Sequence, residues 1–220
     1  MSSKGTPSSI VDAAEELFAE QGFAETTVRQ ITSRANVNLA AINYHFGSKK
    51  GLIQAVAEKF ITPLINELSN QMDCYVDTDV KPALDDLLEI LMRALLIVRS
   101  ENKNTLPVFM RLLELAYMNN QEELRDFLIG RYKSRLEHFL HCIRDDSAPM
   151  EDNEFFWRLH FMLGCMTFTL SNFKTLHSLE KSRFSSKHSE TEVEQILHRM
   201  IPVLSAGMQA RGENLYFSKI

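Results

Sequence analysis

At 220 residues, with 45% hydrophobic and 24% charged positions, the chain has the make-up of a globular protein of one or two domains able to bury a sizeable core. A net charge of −5 argues against a uniformly basic nucleic-acid binder, and eight Gly with six Pro argue for helices over hairpins. Three cysteines, Cys74, Cys142 and Cys165, form no CxxC pair and are expected as reduced thiols of a cytoplasmic protein.

No cationic segment followed by an apolar core opens the chain, so no signal peptide is read. Residues 1–7 are expected to be flexible. The first helix begins in "TPSSIVDAAEELFAEQGF", with Pro7 at a first-turn position and Thr6, Ser8 or Ser9 as candidate caps. Ile10, Ala13, Ala14, Leu17 and Phe18 form an amphipathic stripe, and Gly22 followed by Phe23 marks its end. Two short helices come next in "TTVRQITSRANVNLAAINYHF". Thr26 or Thr27 caps the first, which runs through Val28, Ile31 and Ala35. Asn36 makes the turn, since Asn tolerates a left-handed backbone. Asn38 caps the second, whose inner side is Val37, Leu39 or Ala41, Ile42 and Phe46. Gly47 breaks it, and Ser48 caps a long helix from Lys49 to about Met72, with Pro63 expected to kink it near residue 60.

One helix followed by two short ones across a tight turn is the helix-turn-helix arrangement. Its local charge departs from that of the whole chain: residues 27–60 carry Arg29, Arg34, Lys49, Lys50 and Lys59 against Glu58, a balance of +4. A reading helix needs small or polar exposed side chains, because bulk holds its backbone off the base edges. Asn38, Ala40, Ala41 and Asn43 suit that role. Tyr44 and His45 carry hydrogen-bonding tips, Lys49 with the N-terminus of the long helix suits a phosphate, and Arg29 reaches a groove edge or a phosphate.

Five further helices are predicted, over Pro82–Arg99, Leu106–Met118, Gln121–Arg144, Asp152–Leu179 and Thr191–Gln209. The linkers between them are short and polar, and no strand pattern or repeat appears, which gives an all-α chain of about nine helices. The most apolar run, "FFWRLHFMLGCMTFTL", carries Arg158 and His160 and falls short of a membrane span, so no membrane partner is expected. The final "GENLYFSKI" resembles the start of a protease-recognition tag and takes no part in the fold reading.

The segments "IVDAAEELFAEQGFAETTVRQIT" and "ANVNLAAINYHFGSKKGL" resemble the TetR family of bacterial repressors over about residues 8–55. That resemblance implies an N-terminal three-helix DNA-binding domain over 8–60, a C-terminal helical ligand-binding and dimerisation domain over 61–210, and a tail over 211–220. It also implies phosphate contacts from Thr27, Tyr44, His45 and Lys49, and base contacts from Arg29, Asn38, Ala40 and Asn43 on a double-stranded operator. Asn36 departs from the family's usual turn glycine, and Asn43 stands where a tyrosine is frequent. Further segments, "FMRLLELAY", "FWRLHFMLGCMTF" and "MIPVLSAGM", resemble the fatty-acid-responsive PsrA branch. They imply a repressor of fatty-acid degradation genes, released by a long-chain fatty acid or its acyl-CoA ester.

Met- and Phe-rich helices suit a flexible acyl chain, with Phe109, Met110, Leu113, Trp157, Phe161 and Met162 as candidate lining. For each residue, plain core packing is the competing reading. Arg93, Arg99, Arg111 and Arg158 are candidates for the ligand's head group. Leu170, Phe173, Ile196, Met200, Val203 and Leu204 are candidates for a homodimer interface, against intramolecular packing. No HExxH, Walker loop, GxSxG or metal-spaced Cys/His set appears, so no enzyme, cofactor or metal is expected. Glu137, His138 and His141 read as solvated helix residues rather than metal ligands. The alternatives are a repressor of an efflux-pump gene that senses drugs or dyes, and, in a different class, a lipid-binding protein or an enzyme.

Overall fold

The structure, a computed structural model, describes residues 5–76, 81–100, 105–184 and 192–210. They form ten helices and, among the described residues, no strand: α1 (Thr6–Glu25), α2 (Val28–Arg34), α3 (Ala40–Phe46), α4 (Lys49–Val76), α5 (Leu84–Ser100), α6 (Thr105–Ala116), α7 (Glu122–Asp146), α8 (Asp152–Ser171), α9 (Phe173–Phe184) and α10 (Val193–Gln209). The all-α class is as expected, with one helix more than the nine read from sequence. The predicted helix over Asp152–Leu179 is two, because the chain leaves helical geometry at Asn172 (φ −105°, ψ 14°). There Asn172 Nδ2 and its backbone N–H both donate to the Phe168 carbonyl, so a local side-chain bond competes with helix propagation. Residues 77–80, 101–104 and 185–190, within the predicted linkers, Thr191 and the 211–220 tail lie outside the described residues.

The chain divides into two compact units, and α4, α5 and α7 each run through both. The first unit holds residues 1–65 and 97–133 and the second holds 66–96 and 134–220, so neither is a single stretch of sequence. Pro63 lies inside α4, which runs from Lys49 to Val76.

In the first unit, α1 packs on α2, α3 and α6. The stripe predicted for α1 is the one that is buried: Ile10, Ala13, Ala14, Leu17 and Phe18 are all at most 5% exposed. Phe60 of α4 meets Phe109 of α6, ring centroids 5.9 Å apart, and Ile31 and Ile42 anchor the two short helices in the same core. Leu39 faces out, so Ala41 rather than Leu39 belongs to the inner side of α3. A buried polar cluster ties three helices together. Lys59 of α4 donates to Asp12 (2.8 Å) and Glu15 (2.5 Å) of α1, and Thr105 of α6 donates to the other Glu15 oxygen at 2.9 Å. Burial depresses the Lys59 ammonium, but the bonds to Asp12 and Glu15 outweigh it and leave the group above its ordinary range. Along α7, Glu123 pairs with Lys50, Arg131 with Glu58, and Tyr132 shares a hydrogen bond with Thr62, so α4 is braced at three levels.

In the second unit, α8 packs on α10 and α9. Arg158 of α8 is buried, and its guanidinium donates to the carbonyls of Gly207, Met208 and Ala210, the C-terminal end of α10, while Glu154 holds its Nε at 2.8 Å. Helix C-termini leave carbonyls without intrahelical partners, and a cation there answers both the hydrogen bonds and the dipole.

Candidate nucleic-acid interface

The helix-turn-helix is set by hydrogen bonds readable residue by residue. α1 leaves helical geometry at Gly22 (φ 84°, ψ 171°), a left-handed backbone that glycine adopts without strain, and Phe23 stacks back on Phe18 at 4.4 Å. No hydroxyl caps the start of α1; its cap is Gly5, and Ser9 Oγ instead donates to the Gly5 carbonyl. The two threonines at the next junction divide the work. Thr26 is fully buried, its hydroxyl donating to Gly22 O (2.7 Å) and Leu17 O (3.3 Å). Thr27 caps α2 through a capping box with Gln30. Gln30 Nε2 donates to Gln21, and Gln21 donates to Thr26, so one chain of bonds fixes the entry of α2 against α1.

Asn36 takes the left-handed turn (φ 53°) as expected. Asn38 Oδ1 accepts the Ala40 N–H at 2.9 Å, which makes it the working cap, although α3 begins one residue later than a plain Asn38 cap implies. A bidentate adenine contact needs that same oxygen, so the cap competes with base reading at Asn38. Ala40, Asn43, Tyr44 and His45 are exposed, together with Thr27 and Arg29, and Tyr44 is 85% exposed with its ring edge-on to His45 at 4.9 Å. An aromatic held that far out of a core is not a packing residue.

Charge is distributed differently from the sequence count. Arg34 is held by Glu20 (3.0 and 2.9 Å) and Glu16 (3.2 Å), Lys59 by Asp12 and Glu15, and Lys50 by Glu123 (2.9 Å). Three of the five cations thus already face carboxylates. Arg29 makes no ion pair among the described residues. Lys49 is half-buried and donates to the Phe23 carbonyl at 2.7 Å, and burial pulls its ammonium below the ordinary lysine range. Lys49 therefore stitches α4 to the end of α1, with two further N–H donors of its ammonium available to an anion.

The turn from α3 to α4 carries a residue that sequence reasoning missed. Gly47 is left-handed (φ 72°), and Ser48 Oγ caps α4 by accepting the Gly51 N–H at 3.1 Å. A Cβ on Gly51 would lie 2.0 Å from the Phe46 carbonyl oxygen, so only glycine lets the two helices meet this closely. The available signal was a glycine in the first turn of a helix, where propensity alone disfavours it.

Residues 10–56 match the family described as "Bacterial regulatory proteins, tetR family", and residues 89–207 match "Tetracyclin repressor-like, C-terminal domain". The chain belongs to the TetR family. Among curated relatives, the HTH-type transcriptional repressor Rv3405c of Mycobacterium tuberculosis is 38% identical over 87 residues, 40% of this chain and 45% of that protein. The chain thus spans about half the length of such curated relatives. Among solved structures, the fatty acid degradation regulator FadR from Bacillus halodurans shares the fold, with a TM-score of 0.61 at 16% identity over 96% of this chain and 100% of that one. FadR from Bacillus subtilis in complex with stearoyl-CoA has a TM-score of 0.61 at 15% identity, over 92% of this chain and 99% of that one.

Within this TetR-family chain the other candidate residues separate. Phe109 and Met110 are buried and Leu113 half-buried on α6, in the first unit; Met162 is buried on α8, in the second. Trp157 (51%) and Phe161 (66%) are exposed, which corrects their assignment to an enclosed lining. Of the expected dimer residues, Leu170, Met200 and Leu204 are buried in the second unit's own core, so they serve intramolecular packing. Phe173 and Ile196 are half-buried and Val203 is exposed. Of the head-group arginines, Arg158 is committed to the α10 carbonyls, Arg93 pairs with Glu89, and Arg111 is exposed; the Arg99 side chain lies outside the described residues. Among the described residues no group of three or more His, Cys, Asp or Glu could hold a metal ion, and no helix is long and apolar enough to cross a membrane.

Proposed function

We propose that the chain is a ligand-responsive repressor that acts in the cytoplasm on a palindromic DNA operator as a homodimer. The observation that carries this reading is the exposed face of Thr27, Arg29, Ala40, Asn43, Tyr44 and His45, held by two capped short helices in a TetR-family chain. Ala40 and Asn43 read base edges, with Asn43 the strongest candidate for adenine. Thr27, Tyr44, His45 and Lys49 grip phosphates, and Arg29 reaches the groove edge. The DNA-binding part is residues 8–60, and residues 61–210 serve sensing and dimerisation.

One short reading helix makes few contacts, whereas a two-fold dimer places two of them about 34 Å apart on successive major-groove faces. The partner surface is an exposed stripe on α8: Trp157, Phe161 and Phe168 at helical spacing, with Val203 of α10 equally exposed. A run of exposed aromatics of this kind marks an interaction surface.

The inducer is a long-chain fatty acid or acyl-CoA, its tail against Phe109, Met110 and Leu113 of α6. The segment "FMRLLELAY" supports this, as does a fold shared with FadR, one of whose structures carries stearoyl-CoA. Such a ligand lowers the DNA-competent population by its preference for a conformer with misplaced reading helices. The buried Glu15–Lys59–Thr105 cluster joins α6 to α1 and α4, giving α6 a rigid connection to the helix-turn-helix. A gel shift on the gene's own upstream region, with oleate, oleoyl-CoA and a cationic dye, tests the reading. Release by oleate or oleoyl-CoA supports it, and release by the dye alone would assign the chain to efflux control instead.

A further inference from the structure

α9 has twelve residues, and none of its described side chains is buried. A helix of that length is marginal in isolation and depends on packing an apolar face. Its inward residues are Phe173, Leu176, His177 and Glu180. With Thr169 of α8 and Ile196 of α10 they wall a cavity of about 240 Å³. The imidazole of His177 lies parallel to the Phe173 ring, 5.8 Å between centroids. His177 Nδ1 is buried and makes no hydrogen bond; the Glu180 carboxylate oxygen Oε2 is 3.6 Å away, beyond a hydrogen bond. A buried polar atom left without a partner calls for an explanation. Glu180 is in turn oriented through its other oxygen by Arg199, 3.8 Å away.

We propose that this cavity binds a fragment-sized primary amine with an apolar or aromatic body. A single ammonium nitrogen about 2.9 Å from each of Nδ1 and Oε2 spans the 3.6 Å gap between them and donates to both. The charge of Glu180 selects a cation and repels a carboxylate. Phe173, Leu176 and Ile196 supply the apolar wall. The volume is that of about eight waters, below the usual range of drug-sized pockets, which limits the body to one ring and a short chain. Filling the space gives the half-buried face of α9 more to pack against. The site does not rest on the fatty-acyl reading, and its ligand class is opposite in charge.

The test is calorimetric titration of the full chain with 2-phenylethylamine, 2-phenylethanol and 3-phenylpropionate, with hydrogen exchange followed over residues 173–184. The amine is expected to bind, the alcohol about tenfold more weakly or worse, and the carboxylate not at all. Glu180→Gln should weaken the amine by about tenfold. Ile196→Trp, with helicity checked by circular dichroism, should abolish binding by filling the cavity. Bound amine should raise protection across α9. If Ile196→Trp fails to fold, Glu180→Gln decides. Equal affinity for all three compounds, or for wild type and Glu180→Gln, overturns the proposal. So does α9 protection that rises with protein concentration in the absence of amine, which would make a second copy the occupant.

Discussion

Gly51→Ala sets two effects of opposite sign against each other at one position. Helix propensity alone favours alanine over glycine by about 1 kcal/mol. The added Cβ, however, meets the Phe46 carbonyl oxygen at 2.0 Å. A close C···O contact is roughly 3.3 Å, so the Phe46–Gly47 turn must retreat by about 1.3 Å. That carbonyl is backbone, at the last residue of α3, and Gly47 beside it is already left-handed. The displacement therefore passes to the reading helix instead of being absorbed by a rotamer. Strain of this kind typically costs about 1–3 kcal/mol, and it outweighs the propensity gain. Urea denaturation followed by circular dichroism should show Gly51→Ala less stable than wild type by up to about 2 kcal/mol, with weakened DNA binding. Gly130→Ala is the control: its Cβ meets nothing within 4 Å in the middle of α7, so it should be stabilising by up to about 1 kcal/mol. A Gly51→Ala protein as stable as Gly130→Ala would refute the reasoning.

Ion pairing narrows the electrostatic footprint to Arg29 and Lys49, four cations per dimer, so log K against log[salt] should fall with a slope of about −3.6, whereas all five cations per protomer would give about −9. Lys49→Ala should weaken every DNA sequence alike and flatten the slope, whereas Asn43→Ala should change sequence preference; competition assays on operator variants separate the two. Arg158→Met leaves the buried Met208 carbonyl without its donor and removes the bonds to Gly207 and Ala210, and a loss of about 1–3 kcal/mol is expected in denaturant titration. Phe161→Glu should shift sedimentation toward the monomer and leave the helical content unchanged. The raised Lys59 group contributes stability fully present below its ordinary pKa of about 10.4 and lost as pH rises through the higher folded value. Lys59→Met should therefore remove a stability decline seen only in strongly alkaline solution.

The N-terminal helices were legible because their signals are local. The stripe of α1, the left-handed Asn36, the cap at Thr27 and the break at Gly47 each depend on neighbours a few residues away. What escaped depends on distance or on context. Arg34 finds Glu16 and Glu20 across the α1–α2 angle, and Lys59 finds Asp12 and Glu15 from more than forty residues away, so a local charge count overstated the field. Trp157 and Phe161 read as apolar helix positions, and periodicity does not distinguish a ligand wall from a partner surface. The break at Asn172 sits inside a run apolar enough to continue a helix, and its signal is a side-chain bond from Asn172 to the Phe168 carbonyl. Arg158 looked like an anion receptor because its carbonyl partners lie about fifty residues further along the chain.

Whether the α2–α3 face grips duplex DNA is tested most directly by hydroxyl-radical footprinting on the gene's upstream region, with excess non-specific competitor. Two protected half-sites related by a two-fold axis are expected, with centres about one helical turn or slightly more apart, together with their loss in a Tyr44→Ala, Asn43→Ala double variant that keeps wild-type stability. Protection that is absent, lacks two-fold symmetry, or survives in the double variant contradicts DNA binding by this face.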